Sequence, residues 1–320
     1  MSHVAARRVL VLILPEVHLL DLAGPVQAFW EANGFGARYE LAYVGRDPQV
    51  RSAQGLALAE LAPLPEPCED DLVLVPGMDS RSFGRLAGQV PASWLRSAHA
   101  CGARIASVCS GAFALAHAGL LDGRSCTTHW KVAARLQREH PRARVVQNRL
   151  FVKEGRLVTS AGVAAGIDMA LSLVEDDHGP LVAARVAREL VVYIRRGGDR
   201  EQQSVFLEFR THLHPGVHRV QDFLVAHPEE RPSLAELSDR AGMSVRNLTR
   251  VFRRETGITL KDFAQRVKLQ VARDLLRGAP LKVEAVASSC GFDDARQLRR
   301  LWRERYGTSV SEWRRAAAGA

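Results

Sequence analysis

Cysteine is scarce and scattered in this chain of 320 residues. Cys68, Cys101, Cys109, Cys126 and Cys290 are odd in number, widely spaced, and include no CxxC pair. That argues against a disulfide framework and against a zinc site, and suits a reducing cytoplasm. Long apolar runs are missing as well: no stretch approaches the ~18 residues that a spanning helix needs. Met1 to Arg8 followed by Val9–Leu14 only imitates a signal peptide. Its apolar core is short, and Pro15-Glu16 stands where a small-residue cleavage site belongs. His212-Leu213-His214 is an isolated pair that reads as solvated, so no metal and no cofactor are expected, and no membrane partner.

What is present is ordinary globular composition, 47% hydrophobic and 25% charged, in a chain long enough for about two domains. The net charge of +9 is unevenly spread. Residues 1–195 hold 21 Lys and Arg against 19 Asp and Glu, whereas residues 196–320 hold 23 against 16. A polyanion partner is therefore sought at the C-terminal part, against the plainer alternative of a solvated basic face.

The first half alternates buried-strand runs with helical patterns. "RVLVLIL", "YELAYVG", "DLVLVPG" and "ARIASV" read as strands buried on both faces. Leu19–Asn33, Pro91–Cys101, Gly111–Ala118 and Trp130–His140 read as helices. A hairpin is expected around "LFVKEGRLVTS", then two helices in "AAGIDMALSLVEDD" and "PLVAARVARELVVYIRR". The alternation predicts an α/β, doubly wound (flavodoxin-like) domain over residues 1–195, with ligands at the carboxyl ends of its strands. Cys109 lies at such an end, where strand turns sharply into helix. Two readings of it stand side by side. The turn can push the thiol out over a helix N-terminus that favours thiolate, or Cys109 can be a small buried hydrophobe.

"RRGGDREQQS" opens an expected linker, residues 196–215, before an all-α domain over 216–320. In that domain Ser233-Leu-Ala-Glu236 is a capping box, Gly242 stops the helix, and Ser244 caps the next. The same plan returns. Leu234, Leu237, Ala241 and Gly242 recur as Val283, Val286, Cys290 and Gly291; Leu248, Val251 and Phe252 recur as Leu298, Leu301 and Trp302. The offset grows by one, so one residue is inserted in the second turn. Two helix-turn-helix motifs result, joined by a long helix in "LKDFAQRVKLQVARDLLRG" that spaces them about one duplex turn apart, roughly 34 Å. Arg246, Asn247, Thr249, Arg250 and Arg253 stand on the exposed face of one second helix. Arg296, Gln297, Arg299, Arg300 and Arg303 stand on the other. These donors suit base edges and phosphate of double-stranded DNA.

The last hundred residues resemble an AraC/XylS-type DNA-binding domain, on "GFDDARQLRRLWRERYGTSVSEWRR" above all. Val310 stands where that family usually has proline, which bears on the start of the last helix. The resemblance implies base-facing roles for Arg246, Thr249 and Arg250, and for Arg296, Arg299 and Arg300 in the second motif; Ala295 replaces a frequent polar reader. Residues 8–195 are similar to the PfpI-like, class-I glutamine-amidotransferase-like superfamily, most of all its GlxA-type branch. "LLDLAGPVQAF", "VPGM", "SVCSGAFALAHAGLLDG", "CTTHW" and "TSAGVAAGIDMALSLVEDDHG" carry that likeness. It implies a transcriptional regulator, usually an activator that meets RNA polymerase, dimeric through its N-terminal domain and responsive to a small nitrogenous metabolite. Asp21, Cys109 and His129 match the acid, the elbow cysteine and the histidine of its enzymes. Gly77 and Ser110 supply backbone N–H groups for a carboxylate or oxyanion. A ligand pocket inherited from an enzyme is the expectation, with Trp130 either packing a cationic ligand or serving as core. A cysteine-dependent hydratase or amidase of the isocyanide-hydratase kind, tethered to DNA, is the alternative.

Overall fold

A computed structural model describes residues 6–318 except 82, 193–195, 199–201, 203–207, 211 and 279–280. It divides into two compact units, Met1–Gln202 and Gln203–Ala320. Much of the expected linker, and the end of the helix before it, lie outside the described residues.

In the first unit the strands are β1 (Arg7–Leu12), β2 (Tyr39–Val44), β3 (Gln49–Arg51), β4 (Ala57–Ala59), β5 (Leu72–Val75), β6 (Arg104–Val108), β7 (Ser125–Cys126), β8 (Arg144–Val145), β9 (Phe151–Glu154) and β10 (Leu157–Ser160). The main sheet runs β2-β1-β5-β6-β10-β9, parallel throughout except for β9, which pairs antiparallel with β10. β9 and β10 are the expected hairpin, turned at Gly155 (φ 61°). The small β3–β4 hairpin had no clear signal in the sequence. Val9 and Val11 of β1 face one core layer, and Leu10 and Leu12 the other, all nearly inaccessible. This two-sided burial is why β1, β5 and β6 read as continuously apolar, whereas β2, at the edge of the sheet, exposes Glu40 and Tyr43 and is not buried on both faces as expected.

The helices are α1 (Leu19–Asn33), α2 (Phe83–Leu86), α3 (Ala92–Ala100), α4 (Gly111–His117), α5 (Trp130–Glu139) and α6 (Ala164–Glu189). α6 is broken at Gly179 (φ 82°, ψ 167°), just before Pro180, giving the two expected helices. Strand order reverses about β1, which has β2 on one side and β5 on the other. Such a reversal opens a crevice beyond the carboxyl ends of the strands.

The second unit contains α7 (Pro215–Ala226), α8 (Leu234–Ala241), α9 (Val245–Thr256), α10 (Leu260–Gly278), α11 (Val283–Ser289), α12 (Ala295–Tyr306) and α13 (Val310–Ala318). The Ser233–Glu236 capping box forms, Gly242 is left-handed (φ 67°), and Ser244 caps α9. In the second motif Gly291 (φ 67°) precedes the α12 cap by three residues, because Asp294 caps there. The extra residue therefore sits in the turn. Leu260, Phe263 and Val267 of α10 belong to the first motif's core, and Leu269, Ala272 and Leu276 to the second's. One rigid helix thus threads both cores. At Val310 a Ser309–Glu312 pair caps α13, so proline is dispensable: an N1 amide is unpaired in any helix.

The histidine pair is not solvated as expected. His212 is buried, packed against the His218 ring with centroids 4.6 Å apart and the planes tilted by 42°, and His214 caps α7. Burial beside His218 pushes the His212 pKa down.

Candidate functional site

Each residue of the elbow site follows the carboxyl end of a parallel strand: Asp21 after β1, Gly77 after β5, Cys109 after β6 and Gly162 after β10. Cys109 adopts φ 54°, a conformation that L-residues resist, and its N–H donates to the Ser160 carbonyl at 2.9 Å. The strain persists because glycines clear the surroundings. A Cβ on Gly162 would lie 2.5 Å from Cys109 Cβ; one on Gly111 would lie 2.3 Å from the Val75 carbonyl. A Cβ on Gly77 would lie 2.3 Å from Asp21 Oδ2 and 2.9 Å from Cys109 Cβ. Three loops therefore meet at backbone contact.

Asp21 is fully buried. Its Oδ1 accepts from the Val163 N–H at 2.7 Å, a residue itself held at φ 49°. Its Oδ2 lies 3.5 Å from His18 Nδ1 and has no hydrogen-bond partner among the described residues. Asp21 holds the His18 pKa above its usual value.

Of the two readings of Cys109, the buried one has the support. Burial, followed by the Asp21 charge, pushes the Cys109 pKa up to about 12, and the Ser110 N–H at the start of α4 opposes this only in part. Desolvation outweighs one helix terminus. The Ser110 hydroxyl is already used: it donates to the Met78 carbonyl at 2.5 Å and accepts from the Met78 N–H at 2.9 Å, fastening the "VPGM" turn to the elbow. The Gly77 carbonyl accepts from the His18 N–H.

His129 is half-buried and caps α5, its Nδ1 accepting from the Lys131 N–H at 3.3 Å. Among the described residues no hydrogen bond joins it to Cys109. Burial and Lys131 lower its pKa, while Asp21 acts in the opposite sense. Trp130 is not core: it is 46% exposed, with Lys131 Nζ 5.4 Å over its ring. Nucleophile, acid and histidine thus share one region without forming a relay.

Sequence reasoning missed His18, Gly162, Val163, Thr128 and Gln202. His18 had a usable signal, standing three residues before Asp21 at the start of an amphipathic helix. Thr128 donates to the Cys109 carbonyl at 2.7 Å. Gln202, the last residue of the first unit, reaches back into this loop. Its Nε2 donates to the Thr128 and Arg149 carbonyls at 2.8 and 2.9 Å, and its Oε1 accepts from the Trp130 N–H at 2.7 Å.

On the second unit Arg246, Thr249 and Arg250 are exposed along α9, as are Arg296, Arg299 and Arg300 along α12; Asn247 is partly covered. Leu248, Val251 and Phe252, and Leu298, Leu301 and Trp302, are the buried stripes opposite. Arg250 donates to Asn247, Arg299 to Glu284, and Arg300 to Glu304. Among the described residues Arg246 and Arg296 have no such partner. Thr249 bonds back to its own helix, and Gln297 is engaged with Asp293 and Asp294 at the start of α12. Arg299, Arg300, Arg303 and Ser309 line a cavity of about 590 Å³ between α12 and α13.

The sequence matches the DJ-1/PfpI family over residues 7–176, more than half of the chain, and a helix-turn-helix domain over residues 237–316. It is 30% identical over 307 residues to the HTH-type transcriptional regulator CdhR of Pseudomonas aeruginosa, covering 94% of this chain and 89% of that protein. The chain belongs to the HTH-type transcriptional regulators that carry a DJ-1/PfpI domain. The regulator GlxA of Rhizobium meliloti is also 30% identical, over 72% of this chain and 73% of its own. The crystal structure of a ThiJ/PfpI family protein from Pseudomonas syringae shares the fold of the first unit (TM-score 0.52, 24% identity, 63% of this chain, 80% of that one). As a regulator of this family the protein joins a flavodoxin-like α/β domain to an AraC-type pair of helix-turn-helix motifs. No described helix is long and apolar enough to cross a membrane.

Proposed function

We propose that this regulator binds a small nitrogen-bearing metabolite at the elbow, without turning it over, and so sets how α9 and α12 engage promoter DNA. The observation that carries the reading is the Asp21 carboxylate: it is fully buried, and its Oδ2 accepts no hydrogen bond among the described residues and faces His18 at 3.5 Å, which leaves room for a donor from a ligand. An ammonium or amide group supplies one. His18, Cys109 and His129 are the neighbouring contacts, and the backbone at Gly77 and Ser110 completes the cradle. Against a hydratase or amidase stands the setting of the thiol: burial and the Asp21 charge push the Cys109 pKa up to about 12, which opposes the thiolate a nucleophile needs, and among the described residues no hydrogen bond joins it to His129 as a base.

On this reading α9 presents Arg246, Asn247, Thr249 and Arg250, and α12 presents Arg296, Arg299 and Arg300, to successive major grooves. The protein acts as a cytoplasmic homodimer and as an activator, with RNA polymerase as its further partner. A thermal-shift screen against amino acids, betaines and polyamines tests the effector, since a ligand of the folded state alone raises its stability. A hit that Asp21→Asn abolishes is the expected result. Turnover of isocyanides, amides or glyoxals that Cys109→Ala abolishes would instead establish the enzyme.

A further inference from the structure

The segment running from α7 to α8 touches the turns of both helix-turn-helix motifs. At its start, Arg219 Nε donates to the Arg240 carbonyl at 2.8 Å and its Nη2 to the Ala241 carbonyl at 2.9 Å. These carbonyls end α8, beside Gly242. A Cβ on Gly216 would lie 2.7 Å from the same Ala241 oxygen, so the contact is close. At the far end the loop "HPEERPS" reaches the second motif. A Cβ on Gly291 would lie 2.3 Å from the Glu229 carbonyl. Arg231 Nε donates to the Gly291 carbonyl at 3.1 Å, Nη1 to Asp293 Oδ1 at 2.5 Å, and Nη2 to the Phe292 carbonyl. From α10, Lys268 Nζ donates to the Glu230 and Gly291 carbonyls at 3.1 and 2.8 Å.

Arg231 sits between two prolines, Pro228 and Pro232, which restrict the backbone that carries it. Its carboxylate partner leads directly into the second reading helix: Asp293 Oδ2 accepts from Gln297 Nε2 at 2.7 Å, in the first turn of α12. An arginine fork thus connects a stiff loop of the first motif to the base of the second motif's reading helix. Arg231 lies off the exposed arginine rows of α9 and α12, and all three of its donor groups are turned onto the protein.

We propose that Arg231 is a positioning residue for DNA reading, which fixes the angle and separation of α12 relative to α9 by clasping the turn at Gly291–Asp293. The inference rests on the two-motif reading of DNA. α10 sets the distance between the motifs. The clasp removes the remaining rotation about it, so the protein accepts only one spacing between the two half-sites.

The test takes duplexes selected from a random pool by the full wild-type chain, with one base pair inserted between the two protected grooves. That insertion turns one half-site by about 35° against the other. Wild type is expected to lose about tenfold or more in affinity on insertion, the order of one mismatched base pair. Arg231→Ala is expected to bind the selected duplex about tenfold more weakly and to lose less than about threefold on insertion. Asp293→Ala, which leaves the carbonyl contacts, should give the same tolerance in weaker form, and it keeps the question answerable if Arg231→Ala does not fold. An unchanged insertion penalty in both variants overturns the proposal. So does a uniform loss of affinity with a salt slope lowered by about one, because that marks a phosphate contact. If wild type selects no duplex, it is the DNA reading itself that fails.

Discussion

The protonation of Cys109 decides whether the elbow does chemistry, and alkylation measures it. With its pKa pushed from the ordinary 9.0 to about 12, the thiolate fraction at pH 8 is about 10⁻⁴ instead of roughly a tenth. Its iodoacetamide rate constant should therefore be about a thousandfold below that of an unperturbed thiol. Cys68 and Cys101 are exposed and serve as internal references, read peptide by peptide by mass spectrometry. Burial also slows access, so the absolute rate alone is ambiguous; the pH dependence is not. The Cys109 rate should climb about tenfold per pH unit from 7 to 10 without a plateau, because a thiol far below its pKa gains thiolate in proportion to hydroxide. Asp21→Asn removes the second cause of the shift and should raise the rate at pH 8. A plateau near pH 8, or a rate at Cys109 matching Cys68, would refute the argument and return the elbow to the nucleophiles. The linkage has a definite sign. The raised value makes a contribution to stability that is complete below pH 9 and is lost as pH rises toward 12.

Other consequences are equally direct. His18 should titrate above its ordinary 6.5 and His129 below it in a histidine-resolved NMR experiment, and Asp21→Asn should bring His18 down; the His18–Asp21 contact is fully stabilising below pH 6.5 and fades as pH passes the raised value. Gly77→Ala drives a Cβ against the buried Asp21 Oδ2 and should cost about 1–3 kcal/mol in chemical denaturation. Arg246→Ala and Arg296→Ala remove no hydrogen-bond partner among the described residues, so unfolding stability should stay within about 0.5 kcal/mol while DNA affinity falls and its salt dependence flattens. Gln202→Ala strips the Thr128 carbonyl and the Trp130 N–H of their partner, and hydrogen exchange at the Trp130 amide should accelerate.

Legibility in the sequence followed the range of the interactions. Buried strands of a doubly wound sheet announce themselves as unbroken apolar runs, and α8 to α9 announced itself by caps whose partners are three residues apart. The inserted residue in the second turn was visible because the two copies could be aligned. The elbow was visible as a small-residue turn, but the state of its thiol was not. Desolvation comes from the fold packed around Cys109, and the Asp21 charge from a residue 88 positions away in sequence, whereas the helix terminus that suggested thiolate is local. The same holds for Gln202 and Arg231: polar side chains in loops, each meaningful only through carbonyls that the fold brings from elsewhere. His212 was misread for this reason too, since an HxH pair says nothing of the His218 ring that covers it.

A strained elbow whose surroundings disfavour thiolate still has a physical use. Cys109 and Val163 hold positive φ on either side of Asp21, conformations that cost of order 1–3 kcal/mol each and survive only where the surroundings impose them. Three backbone loops are thereby kept in contact around one carboxylate oxygen that accepts no hydrogen bond among the described residues and faces His18. On the proposed reading, an effector that satisfies that oxygen changes the balance holding the Cys109 turn, and the Cys109 carbonyl is tied to Thr128, whose own carbonyl is tied to Gln202 at the exit of the domain. A ligand shifts such a system only through different affinity for its two arrangements. Chemistry at sulfur would destroy the ligand and with it the signal. On the proposed reading a buried cysteine, small enough to pack against Gly77 and Gly162, keeps the loops together and leaves the effector intact.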